Sequence, residues 1–392
     1  ILNNPYLDHT LPQYPHKSTR ELRASLFLFR LLSRGFVVRA SLYVWRFLQS
    51  IRFPVKYLIS FTGYEQFCAG QDVSSCASMT EKLAKHQIFS VLDYANEHAT
   101  SAIDYDHNAA VVLETIEAAK NNRAYPFAVV KPSAIGSFEL YQKMGAGHKL
   151  TASEQLIWTA MQQRFDQLAN AAAQAAVVLM IDAEESWIRD GVDLLVLPLL
   201  VKYNCDKVVL ALTIQLYLKD RNIVYKSLLK DADDKGYVLG VKLVRGAYME
   251  KERSRATALN MSAPVCATKA ATDMQYRDAL QNAMQAVDKH FCIVATHNQS
   301  DINWVVDYCA ENNISLGNAN LWFSQLYGMR DYISFSLAKQ GANVFKYVPF
   351  GPLAQAVPYL IRRALENSAV KSQTLQECLM LKKELRRRKL NG

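Results

Sequence analysis

Val177-Val-Leu-Met-Ile-Asp182 is a run of five apolar residues closed by a carboxylate. So short and unbroken a run fits a strand buried on both faces, since a strand with one wet side would alternate. Residues 89–95, 127–131, 207–213, 238–245, 291–297, 318–323 and 343–348 repeat the pattern, separated by connections of helical length. Apolar strands alternating with helices predict a parallel sheet covered by helices. Eight such units in about 260 residues predict the α/β class, as a (β/α)8 TIM-like barrel.

The polar residues obey the same frame. Asp93, Lys131, Asp182, Gln215, Arg245, Thr296, His297, Asn298 and Tyr347 fall at or just past a strand's C-terminal end. In a barrel that end carries the chemistry.

Beyond the eighth run the chain breaks at Gly351-Pro352 and resumes as a helix with Pro358 in an early turn. Tyr359, Arg362, Arg363 and Glu366 are spaced i, i+3, i+4, i+7, so they share one helical face. Two adjacent guanidiniums suit the grip of a carboxylate. A solvated face with one Arg–Glu pair accounts for the spacing equally well.

Composition narrows the partners. Of 392 residues, 50% are hydrophobic and 21% charged, and the formal net charge is +9. The basic residues gather in 30–56 and 382–389 and not in a patch interleaved with aromatics, which argues against nucleic acid and for an anionic membrane surface or organelle lumen. Residues 18–61 are basic, aromatic-rich and amphipathic, yet arginine or lysine interrupts every candidate span. That suits a membrane interface or helices packed on the main domain, but not a membrane-crossing helix. Seven scattered cysteines, never CxxC, point to a reducing compartment. The chain opens at Ile1 without a methionine and reads as a fragment or processed form.

Several motifs fail. No GxGxxG follows a strand, and no GxSxG elbow exists. Gly145-Ala-Gly147-His-Lys149 has the wrong spacing for a phosphate loop. Asp231-Ala-Asp233-Asp-Lys-Gly236 starts like a calcium loop but has Lys242 where a bidentate Glu belongs, and reads as a turn. His297 has no companions at metal spacing, so no metal is expected. The stretch 99–106 carries no legible element.

Five segments together resemble the proline dehydrogenase family, nearest its mitochondrial, monofunctional branch. They are Lys242-Leu-Val-Arg-Gly-Ala-Tyr-Met-Glu-Lys-Glu-Arg253, Ile181-Asp-Ala-Glu-Glu185, Ala295-Thr-His-Asn298, Leu326-Tyr-Gly-Met329 and Tyr359-Leu-Ile-Arg-Arg-Ala-Leu-Glu-Asn367. The likeness covers 89–367. It implies a distorted barrel with a non-covalent FAD, and a last helix that lies over the barrel mouth. The expected divisions are an N-terminal helical region (1–85), the catalytic barrel (86–370) and a basic C-terminal helix or tail (371–392).

The resemblance also implies roles. Lys131, Arg362 and Arg363 match the clamp on the L-proline carboxylate; three cations exceed what one carboxylate neutralises, so Glu366 or an acid from the N-terminal helices is expected to balance them. Leu243, Tyr248, Tyr347 and Tyr359 would wall the ring. Lys242 matches a cation near the flavin's reactive edge, often Arg in the family. Asp182 matches a carboxylate beside substrate and flavin, with an orienting role. Flavin contacts would come from Asp182, Ala183, Gln215, Lys242, Arg245, Gly246, Ala247, Thr296, His297, Asn298 and Glu366, with Arg245 meeting the phosphates. Tyr347 stands where the hydroxyproline branch has a smaller residue, so proline is the expected substrate. A quinone acceptor, peripheral attachment to the matrix side of the mitochondrial inner membrane and a functional link to the pyrroline-5-carboxylate-oxidising enzyme complete the picture. The rivals are a hydroxyproline dehydrogenase of the same fold and a catalytically dead barrel that serves as a binding protein.

Overall fold

The computed structural model describes residues 13–33, 64–95, 99–352 and 371–390. Eight strands form one sheet: β1 (Ile88–Tyr94), β2 (Phe127–Val130), β3 (Val178–Ile181), β4 (Leu210–Gln215), β5 (Gly240–Val244), β6 (Phe291–Ala295), β7 (Leu321–Leu326) and β8 (Val344–Phe350). Their order, β1-β8-β7-β6-β5-β4-β3-β2, is that of a nearly closed, distorted (β/α)8 barrel. The expected fold class is therefore the observed one.

Two strand starts move by three residues. Residues 207–209 precede β4, because the Asn204 amide oxygen takes the Val209 and Leu210 N–H groups at 3.0 and 2.9 Å and delays entry into the sheet. Residues 318–320 form a turn before β7, held by Leu321 N–H to Asn318 O at 3.0 Å. The strand then runs on through Ser324 and Gln325. The stretch 231–236 is the last turn of the helix Arg221–Lys235, ended by Gly236 in the left-handed region, and not a free turn. Residues around 99–106 open the helix Ala102–Asn121 through a reciprocal capping box between Ser101 and Asp104.

The chain divides into two compact units. The larger holds residues 96–324 and 341–345. Its strands β2 to β7 pair in parallel in sequence order, with registers such as Val130↔Ile181 and Thr213↔Lys242. Phe127, Phe291, Trp322 and Phe345 sit at strand starts and pack edge to face around Phe127 at centroid distances of 5.7, 4.7 and 5.3 Å. Such aromatic packing fills the barrel interior at the N-terminal ends of these strands.

The smaller unit holds residues 1–95, 325–340 and 346–392. Within it the helix Thr19–Leu32 lies against the C-terminal helix Lys371–Leu390. Tyr14 donates to Glu377 at 2.9 Å, and Arg388 donates to the Tyr14 carbonyl at 2.9 Å. The basic tail is thus a docked helix with Cys378, Met380 and Leu381 buried. Under it lies a buried ionic cluster. The Asp331 carboxylate meets Lys346 Nζ at 2.8 Å, His16 Nε2 at 3.3 Å and Lys17 Nζ at 3.8 Å. No local pattern announces this cluster, because His16 and Lys17 lie about three hundred residues from Asp331 and Lys346.

Among the described residues no helix is long and apolar enough to cross a membrane. Six of the seven cysteines are buried, and Cys205 is exposed.

Candidate functional site

Strand register assembles the centre of the larger unit. Val130 pairs with Ile181, so Lys131 and Asp182 leave β2 and β3 side by side. Ile181 pairs with Leu212 and Thr213 with Lys242, so Asp182, Thr213 and Lys242 fall in one layer across three strands. This stagger explains how a lysine in mid-strand meets a carboxylate at a strand end. Lys242 Nζ donates to Asp182 Oδ1 in a very short contact, and Lys131 Nζ stands 4.0 Å from Asp182 Oδ2. These side chains are only 7, 16 and 10% exposed for Lys242, Asp182 and Lys131. Both ammoniums meet this carboxylate, and sheltering from water strengthens the attraction of the two cations for an anion.

Around this centre, Gln215 ends β4 and donates to the Ala183 carbonyl at 3.3 Å. In the same layer the Thr213 hydroxyl is buried and has no hydrogen-bond partner among the described residues. By strand alternation Leu243 projects opposite to Lys242, while Val244 shares the Lys242 face. Leu243 is fully buried, and its carbonyl accepts from the Tyr276 hydroxyl at 3.1 Å.

Arg245 is held more tightly than its expected phosphate role suggested. Its Nε donates to Asp273 at 2.8 Å, Nη1 to Thr296 Oγ1 at 3.1 Å and Nη2 to Asp301 at 2.7 Å, and it stacks on Tyr276. Both acids were absent from the sequence reading; they lie on later helices, and no local pattern links them to β5. Thr296 and His297 follow β6, and Asn298 caps the helix Gln299–Glu311 by accepting from Ser300 N–H at 3.0 Å.

Gly246 and Ala247 are exposed just past β5, and Tyr248 directly precedes the helix Met249–Ala258. At Gly246 φ is +126°, and a Cβ would lie 1.8 Å from the buried Tyr217 ring. Gly246→Ala is expected to cost about 2–4 kcal/mol from strain and clash, read as a lower denaturation midpoint. An unchanged midpoint would show that Tyr217 yields at no cost.

The rest of the Asp-Ala-Glu-Glu run braces neighbouring loops. Glu184 accepts from Ser133 N–H at 2.8 Å and Ser133 Oγ at 2.6 Å. Glu185 pairs with Lys251 at 2.5 Å. Glu252 accepts from both the N–H and the hydroxyl of Ser186, each at 2.7 Å. Burial pushes the Glu184 carboxyl up to about 7, against the pull of the Ser133 hydrogen bonds and Lys131. These partnerships could not be read locally, although the run itself was visible.

Tyr347 belongs to the smaller unit. It is 8% exposed on β8, and its carbonyl accepts from Tyr327 N–H at 2.9 Å. Tyr359, Arg362, Arg363 and Glu366 lie outside the described residues.

The family model for proline dehydrogenase matches residues 76–376. The chain is 33% identical over 326 residues to the carbapenem antibiotics biosynthesis protein CarD of Pectobacterium carotovorum, covering 83% of this chain and 84% of that protein. To mitochondrial proline dehydrogenase 1 of Dictyostelium discoideum it is 30% identical, covering 98% of this chain and 76% of that one. To the human protein of the same name it is 36% identical over 250 residues, covering 62% and 41%. A crystal structure of proline utilization A from Bdellovibrio bacteriovorus, inactivated by N-propargylglycine, superposes with a TM-score of 0.70 at 20% identity, over 88% of this chain and 37% of that one. At that identity it speaks for the fold, and the chain spans about a third of the solved chains it matches. The extent of the family match places the chain in the proline dehydrogenase family.

Proposed function

We propose that this chain oxidises L-proline to Δ1-pyrroline-5-carboxylate with a non-covalent FAD, within a catalytic barrel of residues 86–370 flanked by the N-terminal region 1–85 and the C-terminal helix 371–392. The observation that carries the reading is the sheltered Lys131–Asp182–Lys242 group at adjoining strand ends in a chain of this family.

The residues present fit a flavin. Thr213 offers an unpartnered buried hydroxyl in the layer of Asp182 and Lys242. The Gln215 amide suits a ring edge of alternating donors and acceptors, and exposed Gly246-Ala247 backbone allows close approach. When bound, FAD supplies the acceptor for the hydride that leaves the ring carbon next to nitrogen. The protein's part is to bind, orient and exclude water. Lys131, with Arg362 and Arg363, takes the substrate carboxylate. Asp182 holds Lys131 and Lys242 apart and in place, and Lys242 provides positive charge where negative charge develops. Tyr248, Tyr347 and Tyr359 wall the ring, while Arg245, Ala183, Thr296, His297, Asn298 and Glu366 complete the cofactor contacts.

Quinone reduction at the matrix side of the mitochondrial inner membrane, with transfer of product to a pyrroline-5-carboxylate-oxidising enzyme, is the matching physiology. Support comes from the smaller unit, where Arg23, Arg30, Lys382, Arg386 and Lys389 line one groove and Phe27 and Leu379 stand exposed on the same two helices. Basic and apolar groups on one surface suit an anionic membrane.

The test is the visible spectrum of the purified protein without air. A flavin band that bleaches with L-proline supports the reading. Bleaching with hydroxyproline alone turns it to the hydroxyproline enzyme, and a protein colourless even after exposure to FAD overturns it.

Tyr347 is assigned the choice between the two imino acids. Tyr347→Ser is expected to move the hydroxyproline-to-proline ratio of kcat/KM upward by about 10-fold or more, since a ring hydroxyl meets a space in place of an apolar wall. An unmoved ratio removes Tyr347 from the specificity assignment.

A further inference from the structure

Glu184 stands two residues past Asp182 and grips the residue two past Lys131. Its carboxylate closes a two-point contact on Ser133, at 2.8 Å to the N–H and 2.6 Å to the hydroxyl. Ser133 lies in the short helix Pro132–Ile135, which starts directly after Lys131. A brace therefore joins the loops that follow β2 and β3, the two that deliver Lys131 and Asp182 to the centre.

We propose that Glu184 is a positioning residue for recognition of the substrate carboxylate: through Ser133 it sets where the Lys131 ammonium stands, and its own charge modulates how strongly that ammonium holds an anion. This rests on the assignment of Lys131 to the proline carboxylate.

The electrostatics give the sign. Lys131, Glu185 and Tyr141 act on Glu184, and Asp182, Arg189, Asp193 and Arg221 line the same cavity, where burial pushes the Asp193 carboxyl up to about 6. Protonated Glu184 adds no negative charge beside Lys131, which keeps its contact with Asp182. Ionised Glu184 draws on Lys131 and repels an incoming carboxylate, so anion binding weakens as pH rises through the titration of Glu184, near 7. The Glu184→Gln side chain keeps a carbonyl for the Ser133 N–H and an amide N–H for the Ser133 oxygen. It imitates the protonated form at every pH.

The test uses the FAD-loaded protein and cyclopentanecarboxylate, a ring acid with no amine of its own to titrate. Its Kd is measured by calorimetry from pH 6 to 8.5. The parent protein is expected to bind about fivefold more weakly at the high end, a size in keeping with one nearby charge in a sheltered site. Glu184→Gln should bind at the low-pH level throughout. Ser133→Ala, which removes a hydrogen bond that favours the ionised form, should shift the inflection to higher pH. A parent Kd that is flat with pH, or an inflection that survives in Glu184→Gln, overturns the proposal. If the parent binds no ring acid at any pH while flavin remains bound, the assignment of Lys131 to the carboxylate fails instead. Should Glu184→Gln not fold, the direction of the Ser133→Ala shift decides alone.

Discussion

Asp182→Asn is expected to lower kcat/KM for proline by about 10²–10³-fold, the range seen when one preorganised electrostatic group leaves an active site. The substitution preserves shape and removes charge. Lys131 and Lys242, both sheltered, then face each other without the anion that joins them. The ammoniums repel, and Lys242 loses the contact that fixes its direction. Removing one partner of a buried ion pair also costs about 3–5 kcal/mol of stability, so a urea midpoint should fall in parallel. A loss of turnover with unchanged stability would mean that solvent relieves the two ammoniums. Turnover within about threefold of the parent would remove Asp182 from the site.

The second large effect falls far from the reaction. Asp331→Asn and Lys346→Met should each destabilise the protein by about 3–5 kcal/mol, because each strands a buried charge. Lys346 is fully buried and donates to the Met329 carbonyl at 2.7 Å as well as meeting Asp331. Burial alone would raise the Asp331 carboxyl, but Lys346, His16 and Lys17 together hold it well below the usual carboxylate range. A depressed folded-state pKa gives stability that is complete above the ordinary carboxylate value and is lost as pH falls through the folded value. Unfolding free energy of the parent should therefore drop on acidification below the ordinary range. That acid loss should be smaller in the double variant Asp331→Leu with Lys346→Met. An identical acid profile in parent and double variant would show that other carboxylates govern it.

Where the sequence was legible, the reason is locality. An apolar run such as 177–182 signals a doubly buried strand through its own residues, and eight of them with helical spacing leave few folds. The strand-end rule placed Lys131, Asp182 and Gln215 correctly without a structure, since each lies within one or two residues of where its strand stops. Boundaries failed where a local hydrogen bond competed with the ladder. Asn204 shortens β4 at its start, and the turn at Asn318 does the same for β7. The capping box at Ser101 is local too, written in Ser101 and Asp104.

By itself, then, the sequence determined the barrel and the residue types gathered at the C-terminal ends of its strands. Tertiary structure alone decided the partners. Strand stagger puts Lys242 against Asp182, the fold carries Asp273 and Asp301 to Arg245, and it assigns Ser133 to Glu184 and Asp331 to Lys346. The physical reason is that hydrophobic periodicity is written in neighbouring residues, whereas the pairing of a buried charge depends on which groups the folded chain brings within a few ångströms.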